Sequence, residues 1–282
     1  MDIVHREVDD DFNIFLIGDA HIGSAMFHGD GLDEMVDMVH SDYHGTKNNV
    51  VVVHGDMIEA ITVDDKRFQS DTTVEFIPLQ QVEMAKRALV PIQKQIAASL
   101  QGNHEQKLWK VGDLSKFIAN ELNVPYGTYS CKVVYHNNGD VVLRHFAGHG
   151  FGSIRSVADD PIRVDANEQL MLKRKLKGKA GDTALMSMGH THKLIVSRPQ
   201  KTLFLTDNGV DIDQHYTSNI STGDYIHPDH RWYVNTGSFM KLYGKMGTSG
   251  YAERFGYDPI VLGFAVALVR DRELVNVYKE ML

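Results

Sequence analysis

The chain has 282 residues, 29 Lys plus Arg against 37 Asp plus Glu for a formal net charge of −8, and 43% hydrophobic residues, which allows one sizeable core. No apolar run approaches the ~20 residues of a membrane helix and the acidic start lacks a signal-peptide pattern, so a soluble cytoplasmic protein with no membrane partner is expected. A single cysteine, Cys131, excludes an internal disulfide and a multi-cysteine zinc site, and the acidic balance argues against a surface coated with basic charge for duplex nucleic acid.

In chain order, residues 12–17 read as a first strand ending at Gly18, followed by a helical pattern around 32–39. Four consecutive valines make 49–53 a strand covered on both faces. Residues 74–96 read as helical, with a break expected near Leu89 or Val90 because Pro91 lies inside the pattern. A short strand is expected at 97–100. Asn137, Asn138, Gly139 and Asp140 separate 130–135 from 141–146 as a β-hairpin. A helix over 160–177 closes at Gly178, and strands follow at 184–188, 194–197, 202–205, 232–234, 263–270 and 274–278. The polar stretch 207–231 reads as one long loop, a candidate lid. No linker divides the chain, so residues 1–282 are expected to form a single domain.

The chain carries 15 histidines, which turns attention to imidazole as base, acid or metal ligand. Five strand candidates end in glycine-containing polar clusters: Gly18-Asp19-Ala20-His21, Gly55-Asp56, Gly102-Asn103-His104-Glu105, Gly148-His149-Gly150 and Gly189-His190-Thr191-His192. In α/β proteins, sites form beyond the carboxyl ends of strands, so such clusters can converge on one crevice. Asp19, Asp56, Asn103, His21, His104, His149, His190 and His192 supply carboxylate, amide and imidazole donors and no thiolate. That set suits divalent manganese, iron, zinc, cobalt or nickel better than calcium or magnesium alone. Eight groups are too many for one ion, whereas two ions about 3.5 to 4 Å apart can share a carboxylate and clamp the oxygens of a displacement at phosphorus.

The ordered set Asp-x-His, Gly-Asp, Gly-Asn-His-Glu, Gly-His and Gly-His-x-His, with roughly 35 to 50 residues between groups, resembles the calcineurin-like metallophosphoesterases. Asn235-Thr236-Gly237-Ser238 is similar to the Asn-Pro-Gly-Ser turn that follows the last histidines in many members. The resemblance implies a four-layer αββα sandwich of two mixed β-sheets flanked by helices. It implies two divalent transition ions, manganese first, one held by Asp19, His21, Asp56 and His192 and the other by Asp56, Asn103, His149 and His190. Asp56 would bridge them together with a water or hydroxide. His104 would face the substrate as an acid for the leaving oxygen or as a stabiliser of transition-state charge, and Glu59 matches a position where some members orient that histidine. Glu105 is expected to support the loop.

The same resemblance implies hydrolysis of phosphate esters. The arginine of the protein-phosphatase pattern Gly-Asp-x-x-Asp-Arg-Gly is missing from Gly55-Asp56-Met57-Ile58-Glu59-Ala60-Ile61, and Asp19-Ala20-His21-Ile22-Gly23 is similar to the opening of SbcD-type nucleases and bacterial phosphodiesterases. Both points favour a diester of a nucleotide or nucleic acid, with a phosphomonoesterase as the alternative and a non-catalytic scaffold of the same fold behind both. Asn103 and Arg155 are the expected substrate contacts, and Phe151 is a further candidate. His54 is expected to be a satisfied core residue facing away from Asp56. The basic run Lys173, Arg174, Lys175, Lys177 and Lys179 reads first as cations complementing a helix C-terminus, with nucleic-acid contact as the rival reading.

Overall fold

The computed structural model describes residues 1–218, 222–244, 253 and 255–282. Its order begins β1 (Asp2–Glu7), β2 (Phe12–Ile17), α1 (Gly29–His40), β3 (Asn49–Val53), α2 (Pro78–Leu89), β4 (Ile96–Ser99), α3 (Asn103–Gln106) and α4 (Leu114–Glu121). It continues with β5 (Ser130–Asn137), β6 (Asp140–Gly148), α5 (Pro161–Leu176), β7 (Leu185–Met188), β8 (Leu194–Ser197), β9 (Leu203–Asp207), β10 (Ile212–Tyr216), β11 (Trp232–Thr236), β12 (Gly263–Arg270) and β13 (Glu273–Met281). The chain is α/β. One mixed sheet runs β1-β5-β6-β7-β11-β8, and the other runs β13-β12-β2-β3-β4.

Strand alternation assigns the layers. In β2 and β3, Phe12, Ile14, Leu16, Val50 and Val52 point to a core shared with Val133, Tyr135, Leu143 and Val234 of the other sheet. The alternate residues Phe15, Ile17, Val51 and Val53 pack instead against α1, α2 and α4. Leu32, Met35, Val36 and Val39 recur at helical spacing and form the buried stripe of α1. On the far side of the six-stranded sheet, Leu172 and Leu176 of α5 cover Phe146, Met186 and Tyr233. The clusters stack as helices, sheet, sheet and helix, a layered arrangement compatible with the expected sandwich.

Helix ends follow local chemistry. α2 opens on Pro78 and passes into a 3-10 turn at Val90–Ile92, where Pro91 cannot continue the helical ladder. Asp160 caps α5 by accepting from the Arg163 amide at 2.9 Å. At the other end of α5, the fully buried Arg231 donates to the carbonyls of Lys177 and Ala180 at 3.2 and 2.7 Å, and also to Gly181 at 2.9 Å. A cation there satisfies carbonyls of the turn that follows the helix.

Several elements depart from the sequence reading. β1 pairs in parallel with β5 although only Val4 of its six residues is buried. The stretch 207–231 is not one loop, since β10 pairs antiparallel with β9 in an exposed hairpin and Pro228–His230 form a 3-10 turn, with 219–221 outside the described residues. Among the described residues, no helix is long and apolar enough to cross a membrane.

Candidate metal centre

The parallel strands β2, β3 and β4 of one sheet, and β6 and β7 of the other, end at the same edge of the sandwich. Asp19 follows β2, Asp56 follows β3, Asn103 opens α3 after β4, His149 follows β6, and His190 and His192 follow β7. Tight turns are needed to bring these side chains back over the strand ends. Asp19, His21, Asp56, His190 and His192 accordingly adopt left-handed φ between 49° and 71°. Each such non-glycine residue costs about 1–3 kcal/mol and persists where its surroundings over-determine it. Here the Asp19 and His21 amides donate to the carbonyls of Gly55 and Asp56, both at 3.0 Å. A side chain at Gly102 would collide with the Asp56 amide and carboxylate, which explains glycine there.

Among the described residues three groups of donors converge; His21, Glu59 and His104 form one, and the expected carboxylate and imidazole ligands fall in the other two. In the first of these two, Asp19, His21 and His192 converge, with His21 Nε2 at 3.1 Å from His192 Nε2 and His192 Nε2 at 3.8 Å from Asp19 Oδ1. In the second, Asp56, His149 and His190 converge, and Asn103 Oδ1 faces His149 Nε2 at 2.9 Å and also contacts His190 Nδ1. Asp56 Oδ2 lies 3.3 Å from His149 Nε2 and 4.0 Å from His21 Nε2, between the groups. The structure therefore brings together all seven expected ligands.

Hydrogen bonds fix which ring nitrogen each histidine presents. His149 Nδ1 donates to the His54 carbonyl at 2.6 Å, turning Nε2 inward. His21 Nδ1 meets Glu59 Oε2 at 2.6 Å with the same effect. His104 Nδ1 donates to the Glu59 carbonyl at 2.5 Å, while the Glu59 carboxylate is 3.8 Å away. The expectation for Glu59 is thus revised: its main chain orients His104 and its carboxylate orients His21. Glu105 accepts from the Asp56, Met57 and Ile58 amides at 3.2, 2.8 and 3.2 Å and so holds the loop carrying Asp56. Ser238 Oγ donates to the Asp19 carbonyl at 2.8 Å, and Asn235 Nδ2 to Thr191 Oγ1 at 2.5 Å, so the 235–238 turn braces two ligand loops.

Burial and mutual charge shift these groups in opposite directions. Burial favours a neutral imidazole, yet the Glu59 carboxylate pushes His21 up to about 9, and Asp56 does the same to His149. Burial, with Asp56 adding to it, raises Asp19 to about 7. Asp56 would also rise on burial but is held well below the ordinary carboxylate range by His149, His104 and His21. Burial holds His104 and His190 down to about 4, and the neighbouring imidazoles add to this.

Asp19 Oδ1 is buried without a hydrogen-bond partner, beside imidazole nitrogens. Carboxylate, amide and imidazole donors meeting around an unpartnered carboxylate oxygen fit divalent metal binding, and these buried groups could hold metal ions.

Above the donors lies a cavity of about 640 Å³ lined by Arg67, His104, Arg155, Lys193, Tyr257 and Asp258, among others. Asn103 and Arg155, the expected substrate contacts, both line it; Phe151 does not. Neither does any described residue of 207–231, so the candidate lid does not reach the cavity, which the segments 152–155 and 256–260 line instead. The sequence reading missed Arg67. Its Nη1 lies 3.1 Å from His104 Nε2, and Asp65 holds its other edge at 3.0 and 2.7 Å.

His54 is buried, with Nδ1 facing the carbonyls of Ile17 and Val52 and Nε2 at 2.6 Å from Ser187 Oγ. No protein-family model matches this chain, and no curated protein does.

Proposed function

We propose that the chain is a dinuclear metallophosphoesterase of the calcineurin-like type with that family's αββα fold, hydrolysing phosphodiesters of nucleotide or nucleic-acid character. The observation that carries this reading is the position of Asp56 between two donor groups, each built from residues that follow strands of both sheets. Asp19, His21, Asp56 and His192 would hold one ion, and Asp56, Asn103, His149 and His190 the other. Two such ions, manganese first, would supply Lewis acidity toward a phosphoryl oxygen and lower the pKa of a coordinated water toward about 7.

The chain's own residues do the rest. Arg67 can only donate, so His104 Nε2 receives that hydrogen bond and Nδ1 carries the proton given to the Glu59 carbonyl. In this state Nε2 has no proton to give, so the neutral ring positions the Arg67 guanidinium, and His104 would stabilise phosphoryl charge or serve as the acid for the leaving oxygen only after taking up a proton at Nε2. Arg155 and Lys193 add positive charge to the cavity wall.

A second reading, phosphomonoester hydrolysis, is favoured by Arg67 itself. The arginine missing after Gly55-Asp56 weighed toward diesters, but a guanidinium reaches the cavity from a later segment. The deciding experiment compares manganese-loaded protein on an aryl phosphomonoester, an aryl phosphodiester, single-stranded DNA and duplex DNA. Faster turnover of the diesters is expected, with His104→Ala abolishing it at nearly unchanged metal content. A monoester rate far above every diester rate overturns the diester assignment, and equal activity of wild type and His104→Ala overturns the role of His104.

A further inference from the structure

We propose that the groove between α5 and residues 155–157 is a binding track for single-stranded nucleic acid leading out of the metal-centre cavity. This rests on the phosphoesterase reading and names the polymer on which the site acts.

The groove has a volume of about 620 Å³ and is lined by Arg155, Lys173, Arg174, Lys177, Asn167 and Asp229, among others. Arg155 also lines the cavity above the metal donors, so the two concavities share a wall and a chain leaving one enters the other. Lys173 pairs with Asp229 at 2.5 Å, whereas Arg155, Arg174 and Lys177 are exposed. Three exposed cations therefore gather along one concavity of a chain whose net charge is −8. A polyanion is the occupant that this charge selects.

The helix-terminus reading of these cations leaves much unexplained. The buried guanidinium of Arg231 already donates to the Lys177 carbonyl at the end of α5 and to Ala180 beyond it, and Arg155 comes from a different segment. A second feature separates nucleic acid from an acidic peptide. Phe151, two residues after His149 and next to the cavity-lining Gly152, leaves 52% of its surface in water. Lys175 donates to the Phe151 carbonyl at 2.8 Å, and its Nζ lies 4.7 Å from the ring centroid, with Lys179 Nζ at 5.3 Å. The ring lines neither concavity but stands one residue from the cavity mouth; an exposed aromatic ring among ammonium groups can stack one base, with the neighbouring cations taking phosphates.

The test uses the full chain stripped of metal with a chelator, so that binding is read without hydrolysis. Fluorescence anisotropy of labelled single-stranded DNA and RNA, each about 12 nucleotides long, is followed as a function of salt. Binding that weakens steeply with salt is expected. Arg174→Glu combined with Lys177→Glu should weaken it about tenfold or more and flatten the salt slope. Phe151→Ala should weaken it by about tenfold with the slope kept. Unchanged thermal unfolding and metal uptake establish that the variants are folded. Wild-type affinity in these variants overturns the proposal, as does tighter binding of a duplex of equal length or equally effective competition by polyglutamate. Strand binding without hydrolysis of any ester by the metal-loaded protein would sink the phosphoesterase reading and leave the track standing; ester hydrolysis without strand binding would do the reverse.

Discussion

Glu59 Oε2 lies 2.6 Å from His21 Nδ1, and both side chains are buried. The carboxylate fixes the ring's tautomer and makes its other nitrogen, which faces Asp19 and His192, a stronger electron-pair donor to a metal ion. The same residue holds His104 through its main-chain carbonyl. One position therefore supports the proposed ligand His21 with its side chain and the proposed substrate-facing His104 with its backbone.

These two roles separate in a variant. Glu59→Gln keeps the backbone and removes the negative charge facing His21. Metal affinity is expected to fall by about 10- to 100-fold. With metal restored at saturating concentration, turnover should return to near the wild-type value, because the His104 contact is unchanged. Isothermal titration with manganese and turnover at rising metal concentration check both halves; unchanged affinity would remove Glu59 from the metal site.

Metal binding should be steeply dependent on pH. In the metal-free protein His21 and His149 are pushed up to about 9 and Asp19 to about 7, and all three must give up protons to become ligands. Below pH 7 the ion competes with three protons, and at pH 8 with the two on the imidazoles. Affinity should therefore rise with pH through the window from 7 to 9 and level off above it. Calorimetry in buffers of different ionisation enthalpy measures the protons released directly. Release near zero at pH 7 would contradict the assignment of these residues as ligands.

A buried polar chain links the two sheets behind the metal centre. Ser187 Oγ lies 2.6 Å from both His54 Nε2 and His145 Nε2. Burial holds His54 down to about 4 and His145 well below its ordinary value, so both rings are neutral. His54 Nδ1 faces carbonyls and must carry the proton, so the Ser187 hydroxyl donates to His54 and accepts from His145. Ser187→Ala leaves two buried ring nitrogens without partners, an expected loss of roughly 1–3 kcal/mol. Denaturant unfolding at pH 8 measures it. As pH falls from 6.5 toward 4, the unfolded chain takes up protons that these rings refuse, so wild-type stability should decline across that range. A variant as stable as wild type would remove the chain from the structural account.

Legibility in the sequence followed the strength of local pattern. The valine run of β3 and the capped, proline-opened α5 announce themselves, since burial on both faces and cap chemistry are local properties. The ligand positions were readable for a related reason: a polar residue beside glycine at a strand end recurs five times, and parallel strands carry all five to one edge. β1 was not readable because one buried residue in six leaves no alternation to detect. β10 was missed because both strands of its hairpin are exposed, so pairing is carried by the backbone. Whether Glu59 meets His104 with its carboxylate or its carbonyl depends on the path of the 56–60 turn, with Asp56 and Ala60 at positive φ. Periodicity says nothing about that path.

Arg67 was hidden for the same reason, since it stands 37 positions before His104 on an irregular segment, with α2 and β4 between them. Its placement gives the sharpest division between the two substrate readings. Asp65 binds one edge of the guanidinium, and Arg67 in turn holds the Asp65 carboxyl well below its usual range, so the group is positioned before any substrate arrives. A monoester presents a dianionic terminal phosphate with oxygens to spare for a bidentate contact, whereas a diester has one negative charge and two esterified oxygens. Arg67→Ala should therefore raise KM about tenfold or more for an aryl monoester and only a fewfold for an aryl diester, with Arg67→Lys restoring charge but not the fork geometry. Asp65→Asn, which loosens the guanidinium without removing it, should show the same ordering at smaller size. Measured KM and kcat for both esters across the three variants check it: equal losses on the two substrates would place Arg67 with His104 as a general stabiliser of phosphoryl charge, and no loss on either would take it out of the site.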